Sequence, residues 1–405
     1  MSQKKKYTRR DVIKAGTAAA GAATVAPALF SRTALAQAAP GDKPALVVVY
    51  LRGGYNAIFG AANAYASNGA FGTAGNTRLD LGNGLVVDRE TFGRFSDFGK
   101  ANMASVGIQH GSNNHGNAVR LVMQDGGVYY AHALAAAMGG DGVIKYAGVN
   151  ARGAHFNGNS AAINGVSPET IRDFENTAAT LVGDKDPASI LRARIQRVGV
   201  GKAGEISRDQ LAMNASSLIS AGNGYQTGVN ILRRQAMAEP LDVNAIRQAY
   251  GVRDNNINSN MANQMAAAEM MVRAGTNVVV TSQGGWDTHG DTNGDRVRRQ
   301  MNNNMPALST FVDRMINSQG RNVVLAIVGD FNRTIGNSGH GRGLVATVIG
   351  NGVQQGTTAN LSNNSPLASV TPGPAGFWGY LGELLGASSD FMGKYPNPHK
   401  SIIKG

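Results

Sequence analysis

Five apolar runs constrain this chain more than any other feature: Ala45 to Leu51, Met103 to Gln109, Thr276 to Ser282, Asn322 to Gly329 and Gly343 to Gly350. A strand that alternates polar and apolar residues faces water on one side. A strand that is apolar throughout is covered on both sides, the pattern of a parallel sheet between two helical layers. Stretches with helical periodicity lie between these runs. A helix is predicted to begin near His115 and to pass through Leu121 and Val122. A longer one spans Arg296 to Ile316 with Met301, Leu308, Val312 and Met315 on its apolar face, and Pro306 is expected to kink it. Gly376 to Leu385 supplies a last amphipathic helix. The segment 167–274 reads as helix-rich, starting with Ser167 as the cap of Pro168. Asp186-Pro187 opens a second helix, and Ser207 with Gln210 forms a capping box before Leu211 to Ala221. Met261, Met265, Ala268 and Val272 line a further helix, and a methionine stripe of this kind belongs to a core. The fold class is therefore α/β, a mostly parallel sheet flanked by helices on both faces, in one domain over residues 39–405.

Three of the runs end in polar loops. Tyr50-Leu51 leads into Arg52-Gly53-Gly54, Val278-Val279-Val280 leads towards Gly284-Gly285-Trp286-Asp287-Thr288-His289, and Val328-Gly329 leads into Asp330-Phe331-Asn332-Arg333-Thr334. Ligands of open α/β sheets bind beyond the carboxyl ends of the strands, so three such loops predict one site. Gly53-Gly54 is a turn device, because the spacing of a phosphate-binding Gly-rich loop is missing. There is no Gly-x-Ser-x-Gly nucleophile elbow either.

The chain lacks cysteine, which removes disulfides, thiolate metal sites and cysteine nucleophiles. Its formal charge of +12 is unevenly spread: seven Lys or Arg against Asp11 place half of it in residues 1–38. The remainder contains no run of five like charges, so nucleic-acid binding is not expected. Lys4-Lys5-Lys6, the pair Arg9-Arg10 before Asp11-Val12-Ile13-Lys14, an Ala/Gly-rich apolar run to Phe30 and the small residues ending at Ala38 resemble a twin-arginine signal peptide. That resemblance implies export of the folded protein to the periplasm or beyond, with the twin-arginine translocase as a partner. The apolar run is too short and glycine-rich for a stable membrane span.

The strand ending in Arg52-Gly53-Gly54, the Gly285-Trp286-Asp287-Thr288-His289 motif, Asp330-Phe331 with Arg333-Thr334, His340-Gly341 and the Tyr395-Pro396-Asn397 ending together resemble the exported bacterial family called domain of unknown function 1501. The family sits in the alkaline phosphatase-like superfamily with sulfatases and phosphatases. The resemblance implies that fold, with divalent metal held at strand ends by Asp and His and a hydroxyl nucleophile at a helix start. Metal in such a site lowers the nucleophile's pKa and neutralises charge developing on the transferred group. Transferred to this chain, the metal ligands are Asp287, His289, Asp330 and His340, and His115 stands where the family has a loop histidine. The departures are Asn56 and Asn114 where the family carries Asp and Ser, Gly116-Asn117 for Ser-Asp, and Gly339 for the Asp before the histidine.

Those changes remove charge and the nucleophile from three separate parts of the chain. Two divalent ions bring +4 against the two carboxylates of Asp287 and Asp330, so at most one ion (Zn, Mg, Mn or Ca) is expected. An amide cannot replace a serine nucleophile. Ser112 is a displaced candidate, with His115 beside it. Three functions stay open: a binding or envelope-associated protein with absent or weak hydrolase activity, an active metal-dependent phosphate- or sulfate-ester hydrolase, and a metal-free interaction protein. Asp287 and His289 are ligands or loop caps, and Arg333 binds an anion or ties its loop by a salt bridge. His110, His132, His155 and His399 are expected to be satisfied or solvated.

Overall fold

Alternate residues of the first apolar run enter two different cores. Ala45, Val47, Val49 and Leu51 join one and Leu46, Val48 and Tyr50 the other, all of them buried. That pattern fixes a strand with helices on both sides. The structure is a computed structural model that describes residues 44–405 apart from 55–59, 61–76, 140–143, 183–240, 254–259, 293, 318–321, 335–337 and 360–371. The export segment with Arg9 and Arg10, Asn56, the Asp186-Pro187 helix and the Ser207–Gln210 capping box lie outside the described residues.

Eight strands form the main sheet: β1 (Ala45–Leu51), β2 (Met103–Gln109), β3 (Tyr146–Val149), β4 (Pro168–Ile171), β5 (Val278–Gln283), β6 (Val323–Gly329), β7 (Gly343–Gly350) and β8 (Gly356–Thr357). Their spatial order is β8-β2-β7-β6-β1-β5-β3-β4. β1 sits between β6 and β5, parallel to both, with Leu51 opposite Gly329 and Gln283. The three strand-end loops predicted to share a site therefore emerge side by side. β7 is antiparallel to β6 and to β2, which corrects the expectation of a parallel strand there. Strand direction leaves no trace in a run buried on both faces, so GLVATVIG reads the same either way. The reversal brings the amino end of β7, with His340 just before it, to the edge where the other strands finish.

Helices α1 (His115–Met123), α2 (Tyr130–Ala137), α3 (Phe174–Val182), α4 (Val243–Tyr250), α5 (Met261–Arg273), α6 (Asp295–Phe311), α7 (Pro374–Leu384) and α8 (Ser389–Lys394) complete the layers. α5 and α6 cover one face through Met261, Met265, Met301 and Leu308, while α1, α2 and α7 cover the other through Val122, Leu134 and Trp378. Each such buried side chain contributes roughly 1.5–3 kcal/mol. Ser167-Pro168 does not open a helix: Pro168 begins edge strand β4, where a missing N–H costs little, and the cap belongs to Asp173, whose Oδ1 accepts from Asn176 N at 2.8 Å. Pro306 lies inside α6, which continues to Phe311 and passes into a π-helical turn, Val312–Asn317. No helix among the described residues is long and apolar enough to cross a membrane.

Candidate metal centre

The loop after β1 determines how closely the strand ends approach. Gly53 has φ +110°, and a Cβ there would lie 2.8 Å from the carbonyl carbon of Trp286 and closer still to Asp287 N. Only glycine allows this contact. The Trp286 ring is buried and its Nε1 donates to Gln283 Oε1 at 3.2 Å, so the loop carrying Asp287 is anchored by its own indole.

Asp330, at the end of β6, is buried and fully engaged. Its Oδ1 accepts from Tyr50 Oη at 2.7 Å, and its Oδ2 accepts from Gly53 N at 3.0 Å and faces His115 Nδ1 at 2.7 Å. With Asp330 accepting at this position, His115 donates from Nδ1, which turns Nε2 towards the neighbouring side chains. The carboxylate–imidazole pairing is that of an outer-layer partner orienting a metal-binding histidine. Asp330 thus stands behind His115, not among the ligand atoms where the family resemblance put it.

Four ligand atoms do converge. One atom each from His115, Asp287, His289 and His340 lie within 4.8 Å of one another. Asp287 Oδ2 is 3.6 Å from His115 Nε2 and Asp287 Oδ1 is 3.5 Å from His289 Nε2. His289 Nε2 and His340 Nε2 are 2.6 Å apart, and His340 Nδ1 reaches the carbonyl of Asn113 at 2.6 Å. Four donors about 2.1 Å from an ion in tetrahedral array would stand about 3.4 Å apart, so small adjustments suffice to hold one. His115 Nε2 is a buried nitrogen without a hydrogen-bond partner, which an ion would satisfy.

Charge fits one ion and not two. Asp287 is the cluster's sole carboxylate, and Arg333 Nη2 donates to its Oδ1 at 2.6 Å. Asp287 and Arg333 cancel, leaving the charge of Asp330 to face the ion. Burial pushes the Asp287 carboxyl up, but the Arg333 hydrogen bond and charge, with His115 and His289, bring it below the usual carboxylate range. Burial first, then the nearness of His115, Arg333 and His289, holds His340 below the ordinary imidazole value in spite of the Asn113 carbonyl. Both groups are ligand-ready near neutral pH.

The Arg333 side chain is fully buried and also donates to the carbonyls of Gly53, Trp286 and Ser338. It ties the loops together, as the salt-bridge alternative expects. Asn114 caps α1 by accepting from Asn117 N at 3.0 Å. Ser112 is turned into its own loop: its hydroxyl accepts from Asn114 N and Asn117 Nδ2 at 3.3 and 3.1 Å. Gly339 contributes a backbone carbonyl to Thr334 N. A pocket of about 360 Å³ beside the cluster is lined by Arg52, Gly53, His115, Gly284, Gly285, Asp287 and Asp330.

Tyr50, Arg52 and Asn113 are additions that the sequence did not single out as site residues. Tyr50 is a polar tip on a core position two residues before Arg52, and that was the available signal. Asn113 acts through its carbonyl, for which no residue type is diagnostic. Of the remaining histidines, His132 is satisfied by the Val166 carbonyl at 2.7 Å. His155, stacked on Tyr50, is 5% exposed with neither ring nitrogen hydrogen-bonded, and His399 is 1% exposed with Nε2 unpaired. Both nitrogens of His155 and Nε2 of His399 thus lack the partners that the sequence reading expected.

Comparison with curated proteins and with solved structures gives no match. Residues 208–370 match the family described as "Protein of unknown function (DUF1501)", a span that includes Asp287, His289, Asp330, Arg333 and His340, and this supports the resemblance to that unknown-function family.

Proposed function

We propose that the protein binds one divalent metal ion through His115, Asp287, His289 and His340, and that it has lost hydroxyl-nucleophile ester hydrolysis on an alkaline phosphatase-like scaffold. It acts as an exported binding or envelope-associated protein, delivered folded by the twin-arginine route. The convergence of three imidazoles and one carboxylate carries this reading. Imidazole-rich sets suit zinc and its neighbours, whereas magnesium and calcium require oxygen donors. When bound, the ion would supply Lewis acidity. The chain's own part is to orient lone pairs: Asp330 fixes His115, Asn113 fixes His340 and Arg333 fixes Asp287. The absence of a hydroxyl at position 114 supports the loss of nucleophilic chemistry, because the head of α1 offers only an amide that is already used as a cap.

Metal analysis of the mature protein after dialysis against zinc, together with turnover of aryl phosphate and aryl sulfate in added Zn²⁺, Mg²⁺, Mn²⁺ or Ca²⁺, tests the proposal. One zinc per chain and no turnover are expected. Turnover that disappears in Asp287→Ala would establish an active hydrolase, and a metal content of zero would leave the metal-free interaction protein.

A further inference from the structure

The four ligands differ in how firmly they are held. His115 has Nδ1 on Asp330 and its ring against the buried ring of Phe331, with centroids 4.7 Å apart. His340 has Nδ1 on the Asn113 carbonyl and packs on the same Phe331 ring at 4.4 Å. Carboxylate and carbonyl oxygens only accept, so each imidazole donates from Nδ1 and turns its Nε2 towards the cluster. Asp287 has one oxygen on Arg333, which leaves the other facing His115.

His289 shares none of these restraints. Its side chain is 57% exposed, its ring does not pack on Phe331, and among the described residues no partner holds its Nδ1. It is followed by Gly290, at φ +78° with open space around it. Its polar contacts to the cluster are His340 Nε2 at 2.6 Å and Asp287 Oδ1 at 3.5 Å, both of them to other members of the ligand set.

We propose that His289 is the exchangeable ligand of this centre: His115, Asp287 and His340 hold the ion from fixed positions, and His289 yields its place to an incoming nitrogen or oxygen donor. The inference rests on the metal-binding reading above. It turns a closed four-ligand site, the structural type, into a three-ligand site with a position that opens, the type able to receive a ligand.

The test uses the mature protein loaded with Co²⁺, whose visible absorption reports coordination, and affinities measured by competition with a chromophoric chelator. His289→Ala is expected to keep one Co²⁺ per chain with affinity lowered by about 10–100-fold, the range associated with losing a supporting contact. His115→Ala and His340→Ala are expected to keep none at equimolar metal. Free imidazole should alter the spectrum of His289→Ala at concentrations that leave the wild-type spectrum unchanged, and should restore the wild-type band shape. Because His289 is on an exposed rim, its variant is the one least exposed to folding failure, and urea unfolding without metal checks each variant. If His289→Ala loses the ion as completely as His115→Ala, or if imidazole leaves its spectrum unchanged, His289 is a fixed ligand and the inference fails. A wild-type protein that binds no Co²⁺ or Zn²⁺ would instead overturn the metal-binding reading itself.

Discussion

Replacing Gly53 by alanine tests the geometry on which the site depends. Two costs add. The first is conformational, because φ +110° is a region that L side chains rarely adopt and a strained backbone of this kind costs about 1–3 kcal/mol. The second is steric: the new methyl would overlap backbone atoms of Trp286 and Asp287, which cannot rotate away as a flexible side chain would. Overpacking of this kind costs roughly 1–3 kcal/mol. Gly111 separates the two effects, since it has φ +78° but nothing within 4 Å of its Cβ position. In urea unfolding, Gly111→Ala should lose about 1–2 kcal/mol, the left-handed penalty alone, and Gly53→Ala about 3–5 kcal/mol. Metal affinity gives a second readout. Relief of the overlap displaces Asp287, so Gly53→Ala should bind zinc weakly or not at all while Gly111→Ala binds it as the wild type does. Equal losses of stability in the two variants, with zinc binding intact in both, would show that the β1 and β5 loops do not meet as described.

Burial holds His155 and His399 down to about 4, with the charge of Arg52 adding to the effect on His155. Their folded pKa lies below an unfolded value of about 6.5, so stability is complete above that value and falls as pH drops towards 4. At pH 5 each histidine should cost on the order of 2 kcal/mol, read as a lower urea midpoint than at pH 7.5, and His155→Phe should remove its share of the loss. Glu269 is buried in α5 between Arg273, Arg314 and Tyr250, with Arg314 donating through both Nε and Nη2 at 2.9 and 2.7 Å. Glu269→Gln should lower stability by about 2–4 kcal/mol, somewhat under the full cost of breaking a buried pair because both arginines reach solvent, and an unchanged unfolding midpoint would refute that. Burial pushes the Glu269 carboxyl up, but Arg314, Arg273 and Tyr250 bring it below its usual value, so this contribution is present above about pH 4.5 and is lost on further acidification. Adding a chelator to zinc-loaded protein should lower the thermal midpoint, and Asp287→Ala should show no response to either zinc or chelator.

The sheet was legible because burial on two faces leaves continuous apolar runs of strand length, rich in valine and isoleucine and bounded by turn residues. The direction of β7 was not, since an antiparallel strand with both faces covered has the same composition. Short β3 escaped notice because Gly148 interrupts its apolar pattern. That glycine is there for a packing reason, as a Cβ would lie 2.5 Å from the Phe156 ring. The polar loops after β1, β5 and β6 do emerge side by side, as their place at strand ends implied. Their roles were not readable, because a carboxylate after a strand looks the same whether it faces an ion or a ring N–H. His115 and Asp330 are 215 positions apart, and their pairing depends on β1 lying beside β6.

Asp330 and Arg333 would be expected at these positions even in a chain that bound nothing. Asp330 joins β1, through Tyr50 and Gly53, to the head of α1, and Arg333 joins the loops after β1 and β5 to Ser338. Each holds several loop partners, and removing either would leave buried donors or acceptors unsatisfied at about 1–3 kcal/mol apiece. Their presence therefore says nothing of a ligand. The three clustered imidazoles are different. His289 and His340 have ring centroids 4.5 Å apart, and His115 keeps a buried Nε2 without a hydrogen-bond partner. Ordering such side chains costs rotamer entropy, and the exposed His289 gains little apolar burial in return. A fold that needed only closed loops would be better served there by small polar residues or water. The case for a bound ion rests on those histidines, the residues least needed by the scaffold.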